Sequence, residues 1–244
     1  MNALIVAMWS GPRNLSTALM RSFAQRPDTD VWDEPFYAAY LKATGLDHPM
    51  AAEIIAEGIT EPRKVARACI APPKPPKRVF YQKHMTHHIL EDFETGWIGG
   101  VTNAFLIRSP ERVLASYVRK HDAVEASDIG FSKQRELFDR AAERLGAAPP
   151  VIDSTDIRRN PEAAMRALTG ALGLEFDPAM LSWNPGPIAQ DGIWGKHWYD
   201  AIWNSTGFAP PEAAAPALPG KLQKIADAVQ EDYLHLRRFA LAVK

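Results

Sequence analysis

Apolar positions along the chain follow two alternating rhythms. Short, nearly unbroken apolar or β-branched runs at Leu4–Trp9, Asp30–Trp32, Val79–Lys83, Ala104–Arg108 and Pro150–Asp153 read as strands. Between them apolar residues recur every three or four positions. That spacing predicts helices over Leu15–Gln25, Met50–Glu57, Pro62–Ile70, His87–Phe93, Pro110–Lys120, Ser132–Leu145 and Pro161–Leu172. Strands that alternate with helices predict an α/β fold, a parallel sheet with helices on both faces. Ser109-Pro110-Glu111 and Asn160-Pro161-Glu162 each supply a capping side chain, a proline at the first helical position and an early acid. The proline-rich stretch from Ala71 to Lys77 reads as a stiff surface connection. A second Pro/Ala-rich stretch, Ala209 to Pro219, leads into a last helix with Leu222, Ile225, Val229, Tyr233 and Leu236 on one face. We expect that helix to pack back onto a single domain spanning residues 1–244.

Composition narrows the function classes. The chain has 244 residues, 46% hydrophobic and 23% charged, with a net charge of −1, an ordinary globular balance that speaks against non-specific nucleic-acid binding. Cys69 is the only cysteine, which excludes a disulfide framework, a cysteine zinc site and an iron–sulfur cluster within this sequence. The first apolar run has no basic segment before it and ends in Gly-Pro-Arg, unlike a secretory leader. No window approaches the roughly 20 apolar residues of a membrane span. The expectation is a cytoplasmic protein with no membrane or nucleic-acid partner.

Chemistry concentrates at strand ends. Ser10-Gly11-Pro12-Arg13-Asn14-Leu15-Ser16-Thr17 joins the first strand to the first helix. Amides left unpaired in a first helical turn, aided by the helix dipole, bind phosphate. Gly11, Arg13, Asn14, Ser16 and Thr17 are therefore candidate ligands of an anion. No Gly-Lys-Ser or Gly-Lys-Thr follows, so this is not a Walker A loop. A second basic site begins at Arg108, where a strand ends. Helical spacing places Arg112, Ser116 and Arg119 near the same face, suited to a second phosphate or, more plainly, to a solvated basic helix face.

Together these segments resemble sulfotransferases. Pro12-Arg13-Asn14-Leu15-Ser16-Thr17 is similar to the family's 5′-phosphosulfate loop, Pro-Arg-Ser-Gly-Thr-Thr. Arg108, Pro110 and Ser116 stand in register with its 3′-phosphate motif. Val151-Ile152-Asp153-Ser154-Thr155-Asp156-Ile157, then Asn160-Pro161 and Ala171-Leu172-Gly173-Leu174, follow its third conserved stretch. The likeness runs from residue 4 to about 175. It departs at Leu15, Glu111 and Ser154, where the family has glycine, arginine and often tyrosine. The resemblance implies a P-loop NTPase-like sheet of sulfotransferase type, with 3′-phosphoadenosine 5′-phosphosulfate (PAPS) as co-substrate, a small-molecule acceptor and no metal. It also implies that Tyr81-Gln82-Lys83-His84-Met85 matches the family's Lys-Thr-His-Leu segment.

That match makes His84 the expected general base, beside Arg13 as the group that stabilises the leaving phosphate. Glu34, after the second strand, competes for the base or assists it, as in branches that use a glutamate there. Lys196, in the aromatic run Asp191–Tyr199, resembles a late basic loop over the 3′-phosphate. An aromatic cluster of Trp183, Trp198 and Trp203 capping the core is the other reading of that region. His84, His87 and His88 lack a carboxylate or cysteine to complete a metal set. A nucleotide kinase or hydrolase on the same fold, and a nucleotide-binding protein without turnover, are the rival functions.

Overall fold

A computed structural model describes residues 3–119 and 123–243. Five strands form one parallel sheet in the order β2-β3-β1-β4-β5. They are β1 (Leu4–Ser10), β2 (Thr29–Asp33), β3 (Val79–Met85), β4 (Thr102–Ile107) and β5 (Val151–Asp153). All five lie where the apolar runs predicted, with β1 and β3 extended to Ser10 and Met85. Among them run α1 (Ser16–Ala24), α2 (Tyr37–Thr44), α3 (Ala51–Glu57), α4 (Pro62–Cys69), α5 (Pro110–Tyr117), α6 (Phe131–Leu145), α7 (Ser154–Arg159) and α8 (Pro161–Ala171). Two short helices, α9 (Gly195–Trp198) and α10 (Asp200–Trp203), precede the long α11 (Gly220–Arg237). No described helix is long and apolar enough to cross a membrane.

Alternation along each strand divides the core in two. Ala7, Trp9, Phe105 and Ile107 face one layer, filled by Val65 of α4 and Phe138 of α6. Val6, Met8, Tyr81 and Leu106 face the other, filled by Leu19 and Phe23 of α1 and Met165 of α8. A sheet covered on both faces explains why the strands read as apolar runs. Ala226 and Val229 place α11 against Val113 and Leu114 of α5.

Two expectations fail locally. Residues 87–93 are not a helix: a 3-10 turn covers Thr86–His88, and Ile89 then leaves it in extended conformation. This irregular path buries Ile89 and Phe93 in the aromatic layer with Phe36 and Trp97, while His87 and His88 line the cavity on the sheet's C-terminal edge. The apolar spacing also gives no helix at α2, α7, α9 or α10, although Gly45 ends α2 with φ 66°. Lys120, expected to end α5, lies outside the described residues.

Because β1 is central and the chain crosses to β2 on one side and later to β4 on the other, the C-terminal end of β1 is a switch point of the sheet. In open α/β sheets ligands bind there. Gly11 immediately follows β1, and a side-chain carbon at that position would stand 2.7 Å from the carbonyl oxygen of Ile129. Its lack of a side chain lets the 127–130 turn approach the loop.

Candidate active site

A cavity of about 440 Å³ opens on this edge, within the size range of small-molecule sites. Residues Pro12 to Thr17, between β1 and the first turn of α1, line one side of it. Asn14 pins the loop by donating from Nδ2 to the Leu106 carbonyl (3.1 Å) while its Oδ1 accepts from the Leu15 amide (2.8 Å). Arg13 holds a left-handed backbone, φ 57°, and its Nε donates to Ser116 Oγ (3.1 Å). Leu15, in the family's glycine position, has φ −83° and no need of glycine. No side chain caps α1, so its first amides remain available to an anion on the cavity side. Burial and then Arg119 lower the Arg13 pKa, with Tyr117 opposing.

A second cationic centre adjoins the first. Arg108, just past β4, donates from Nη1 to the Arg13 carbonyl and from Nη2 to Glu212 (2.5 Å). Arg112, one turn into α5, reaches the other oxygen of Glu212 at 3.2 Å, and Arg158 of α7 lies 3.4 Å from the first. The sequence brought Arg108 and Arg112 to one face; it did not signal Arg158 or Glu212. Burial lowers the Arg108 pKa, opposed by Glu212 and reinforced by Arg158.

Opposite the loop stands a buried charge network. Glu34 follows β2 with φ 41°, a left-handed backbone that carries its side chain to the cavity. Lys83 Nζ donates to Glu34 Oε1 (2.7 Å), Asp33 Oδ1 (2.8 Å) and Tyr199 Oη (2.7 Å), so its three protons are all used. Tyr199 Oη in turn donates to Asp33 Oδ2 at 2.6 Å. Burial disfavours the Lys83 ammonium, but Asp33 and Glu34 outweigh it and hold the pKa well above the ordinary value. For Glu34 burial raises the pKa, with Lys83 opposing and Asp33 adding to the rise.

His84 is not brought to this cavity. Strand alternation sends Tyr81, Lys83 and Met85 to one face of β3 and Gln82 and His84 to the other. There the His84 ring stacks on Trp9 at 4.5 Å, its Nε2 meets Gln82 Oε1 at 3.0 Å, and burial lowers its pKa to about 3. The neighbouring His88 does line the cavity, with Nδ1 3.9 Å from Glu34 Oε2 and its ring stacked on Tyr37 and Tyr40. Lys196 is exposed on α9 and outside the cavity, because Trp198 and Tyr199 of the same segment turn inward instead. Gly11 acts on packing and does not line the cavity. Ser16 and Thr17 line it together with Arg13 and Asn14. Among the described residues no group of three or more His, Cys, Asp or Glu side chains is arranged to hold a metal.

The remaining wall is aromatic. Tyr37, whose hydroxyl meets His48 Nδ1 at 3.0 Å, stands with Tyr117 and Trp198 along it. The segment that supplies Trp198 and Tyr199 is tied to α1 by a fully buried pair, Arg21 Nη2 to Asp191 Oδ2 at 2.6 Å. Arg21 also donates to the Gly186 carbonyl, and the Trp203 indole to Asp191.

A sequence model of the sulfotransferase domain matches residues 4–229. Two Arabidopsis thaliana proteins, named branched-chain-amino-acid aminotransferase-like protein 1 and protein 2, are each 35% identical to this chain over 215 residues. The match takes in 88% of this chain but only 38% of either relative. Among solved structures, a sulfotransferase from Alicyclobacillus acidocaldarius aligns with TM-score 0.55 at 10% identity, over 98% of this chain and 96% of its own. A sulfotransferase domain from the curacin biosynthetic pathway aligns with TM-score 0.50 at 14% identity, over 93% and 98%. At such identities the two structures speak for the fold alone.

Proposed function

This chain belongs to the sulfotransferase domain family, and on that premise we propose that it transfers a sulfuryl group from PAPS to a hydroxyl or amine of a small acceptor, without a metal ion. The observation that carries this reading is the pair of cationic centres on one cavity, joined by the bond from Arg108 to the Arg13 carbonyl. A nucleotide with phosphates at both 5′ and 3′ positions needs two such centres; ADP needs one. The arginine trio already holds one anion, the Glu212 carboxylate, and keeps the buried Nε protons of Arg108 and Arg158 unspent. That donor set suits a phosphate monoester.

In this reading the reaction is an in-line displacement. The acceptor oxygen or nitrogen bonds to sulfur as the bond from sulfur to the 5′-phosphate oxygen breaks. Positioning and charge stabilisation supply the catalysis. Arg13, the open amides of α1 and the Ser16 and Thr17 hydroxyls stabilise the charge that gathers on the departing phosphate. Glu34 takes the acceptor's proton, since it is the carboxylate on the cavity with a raised pKa, and Lys83 orients it. His84, distant in the core, takes no part. The aromatic wall of Tyr37, Tyr117 and Trp198 suits an acceptor with an apolar or ring-bearing body.

Thermal unfolding with 3′-phosphoadenosine 5′-phosphate (PAP), ADP, or ATP plus Mg²⁺ tests the nucleotide. PAP at 100 times its dissociation constant should add about 2.7 kcal/mol. Stabilisation by ATP plus Mg²⁺ but not by PAP would favour a kinase-like function instead. Transfer from PAPS in excess EDTA should match transfer without it; a loss restored by Mg²⁺ would refute metal independence.

A further inference from the structure

The role of Glu212 is not explained by substrate binding. It sits in the Pro/Ala-rich stretch 209–219, which has no secondary structure and is mostly exposed. Phe208 and Leu218 fix the two ends of this strap to apolar clusters. Between those ends its polar attachments go to the arginine trio. Arg158 donates to the Pro210 carbonyl (3.3 Å), Arg112 to the Ala213 carbonyl (2.7 Å), and all three arginines meet the Glu212 carboxylate.

We propose that Glu212 is an internal competitor for the 3′-phosphate site, which yields to the incoming nucleotide and returns to speed release of PAP. The inference rests on the nucleotide reading above. Its chemistry is a charge exchange. One carboxylate leaves three guanidinium groups with an excess of two positive charges. A phosphate monoester carries about −1.5 to −2 near pH 7 and three acceptor oxygens, against two for a carboxylate. The Nε protons of Arg108 and Arg158, buried and without a partner, are donors that the carboxylate leaves unmet. The phosphate therefore displaces Glu212 on binding. The tethered carboxylate, held close by its two anchored ends, acts at high effective concentration and limits how tightly the product is kept.

Glu212→Gln keeps the shape and removes the charge. It should tighten PAP binding at least about tenfold, strengthen product inhibition by PAP in proportion, and leave ADP affinity unchanged. Equal PAP affinity in E212Q and wild type would overturn the inference while leaving the nucleotide reading standing. Failure of PAP to bind either protein would overturn both.

Discussion

Glu34→Gln separates the two candidate bases most directly. The substitution keeps a carbonyl oxygen for the 2.7 Å contact with Lys83, and Lys83 keeps Asp33 at 2.8 Å, so the buried ammonium is not left alone. The fold should survive, and the loss should fall on the chemical step. Removing a general base lowers rate by about 10² to 10⁴. That equals roughly 2.7–5.4 kcal/mol of barrier. The pH profile adds a second reading. Because burial raises the Glu34 pKa, the acid limb of wild-type turnover should lie above the ordinary carboxylate value of 4.5, and the variant should lack that limb. His84→Gln is the comparison: its ring is stacked on Trp9 in the core, so it should lower stability and spare turnover in the protein that remains folded. Steady-state transfer from PAPS between about pH 5 and pH 8 would decide. If E34Q kept more than about a tenth of wild-type turnover while H84Q lost it, the assignment of the base would be wrong.

Other expectations follow from the same geometry. Arg108→Ala should weaken PAP by about 1.5–3 kcal/mol and ADP far less, by titration calorimetry, since only PAP carries the second phosphate; equal losses would disprove the 3′ site. Gly11→Ala should cost about 1–3 kcal/mol of unfolding free energy, because the new carbon meets the Ile129 carbonyl oxygen at 2.7 Å; an unchanged urea midpoint would contradict the close approach. Lys83→Met should cost about 3–5 kcal/mol by stranding two buried carboxylates, and a mild effect would mean that water reaches them. Stability should also fall on acidification. Burial lowers the pKa of His84 to about 3 and of His87 to about 4, below their value of about 6.5 in the unfolded chain. The unfolded chain thus binds protons first, so stability is full above about pH 6.5 and declines toward pH 4 at up to about 1.4 kcal/mol per unit for each ring. Equal urea midpoints at about pH 7 and pH 5 would show that the rings titrate freely.

What the sequence revealed, and what it hid, divides along a physical line. Strands covered on both faces leave unbroken apolar runs, and the loop after β1 carries its cavity-lining residues Arg13, Asn14, Ser16 and Thr17 within one short stretch, so both were legible. Arg112 and Ser116 were legible because one helix fixes their spacing, and Arg108 because it directly follows the strand that leads into that helix. For His84 the segment likeness and the period of two disagree: counting from Tyr81, whose ring stacks on Phe23 of α1, puts Lys83 and Met85 on the Tyr81 face and His84 opposite. Arg158, Tyr199 and Glu212 were hidden for a different reason. Each reaches the site from a segment far along the chain, and nothing near it in sequence reports the partner that it meets. The likeness to a late basic loop points to Lys196, but α9 turns Trp198 and Tyr199 inward and leaves Lys196 exposed, off the cavity.

The buried pair Arg21–Asp191 bears on how this scaffold could change its acceptor. Arg21 lies on the helix whose N-terminal turn lines one side of the cavity, and Asp191 on the segment that supplies Trp198 and Tyr199 to its aromatic wall. The two walls are therefore fastened together through one buried guanidinium, which holds Asp191 and the Gly186 carbonyl. Transplanting residues 183–203 from a relative with another acceptor preference would bring a foreign partner to Arg21. A graft that lacked a carboxylate at position 191 would leave a guanidinium sealed in the interior, and α1 would shift to relieve it. Specificity here is thus modular only in part. Tyr117 reaches the wall from α5, outside that segment, whereas Trp198 and Tyr199 must travel together with the helix that their segment grips.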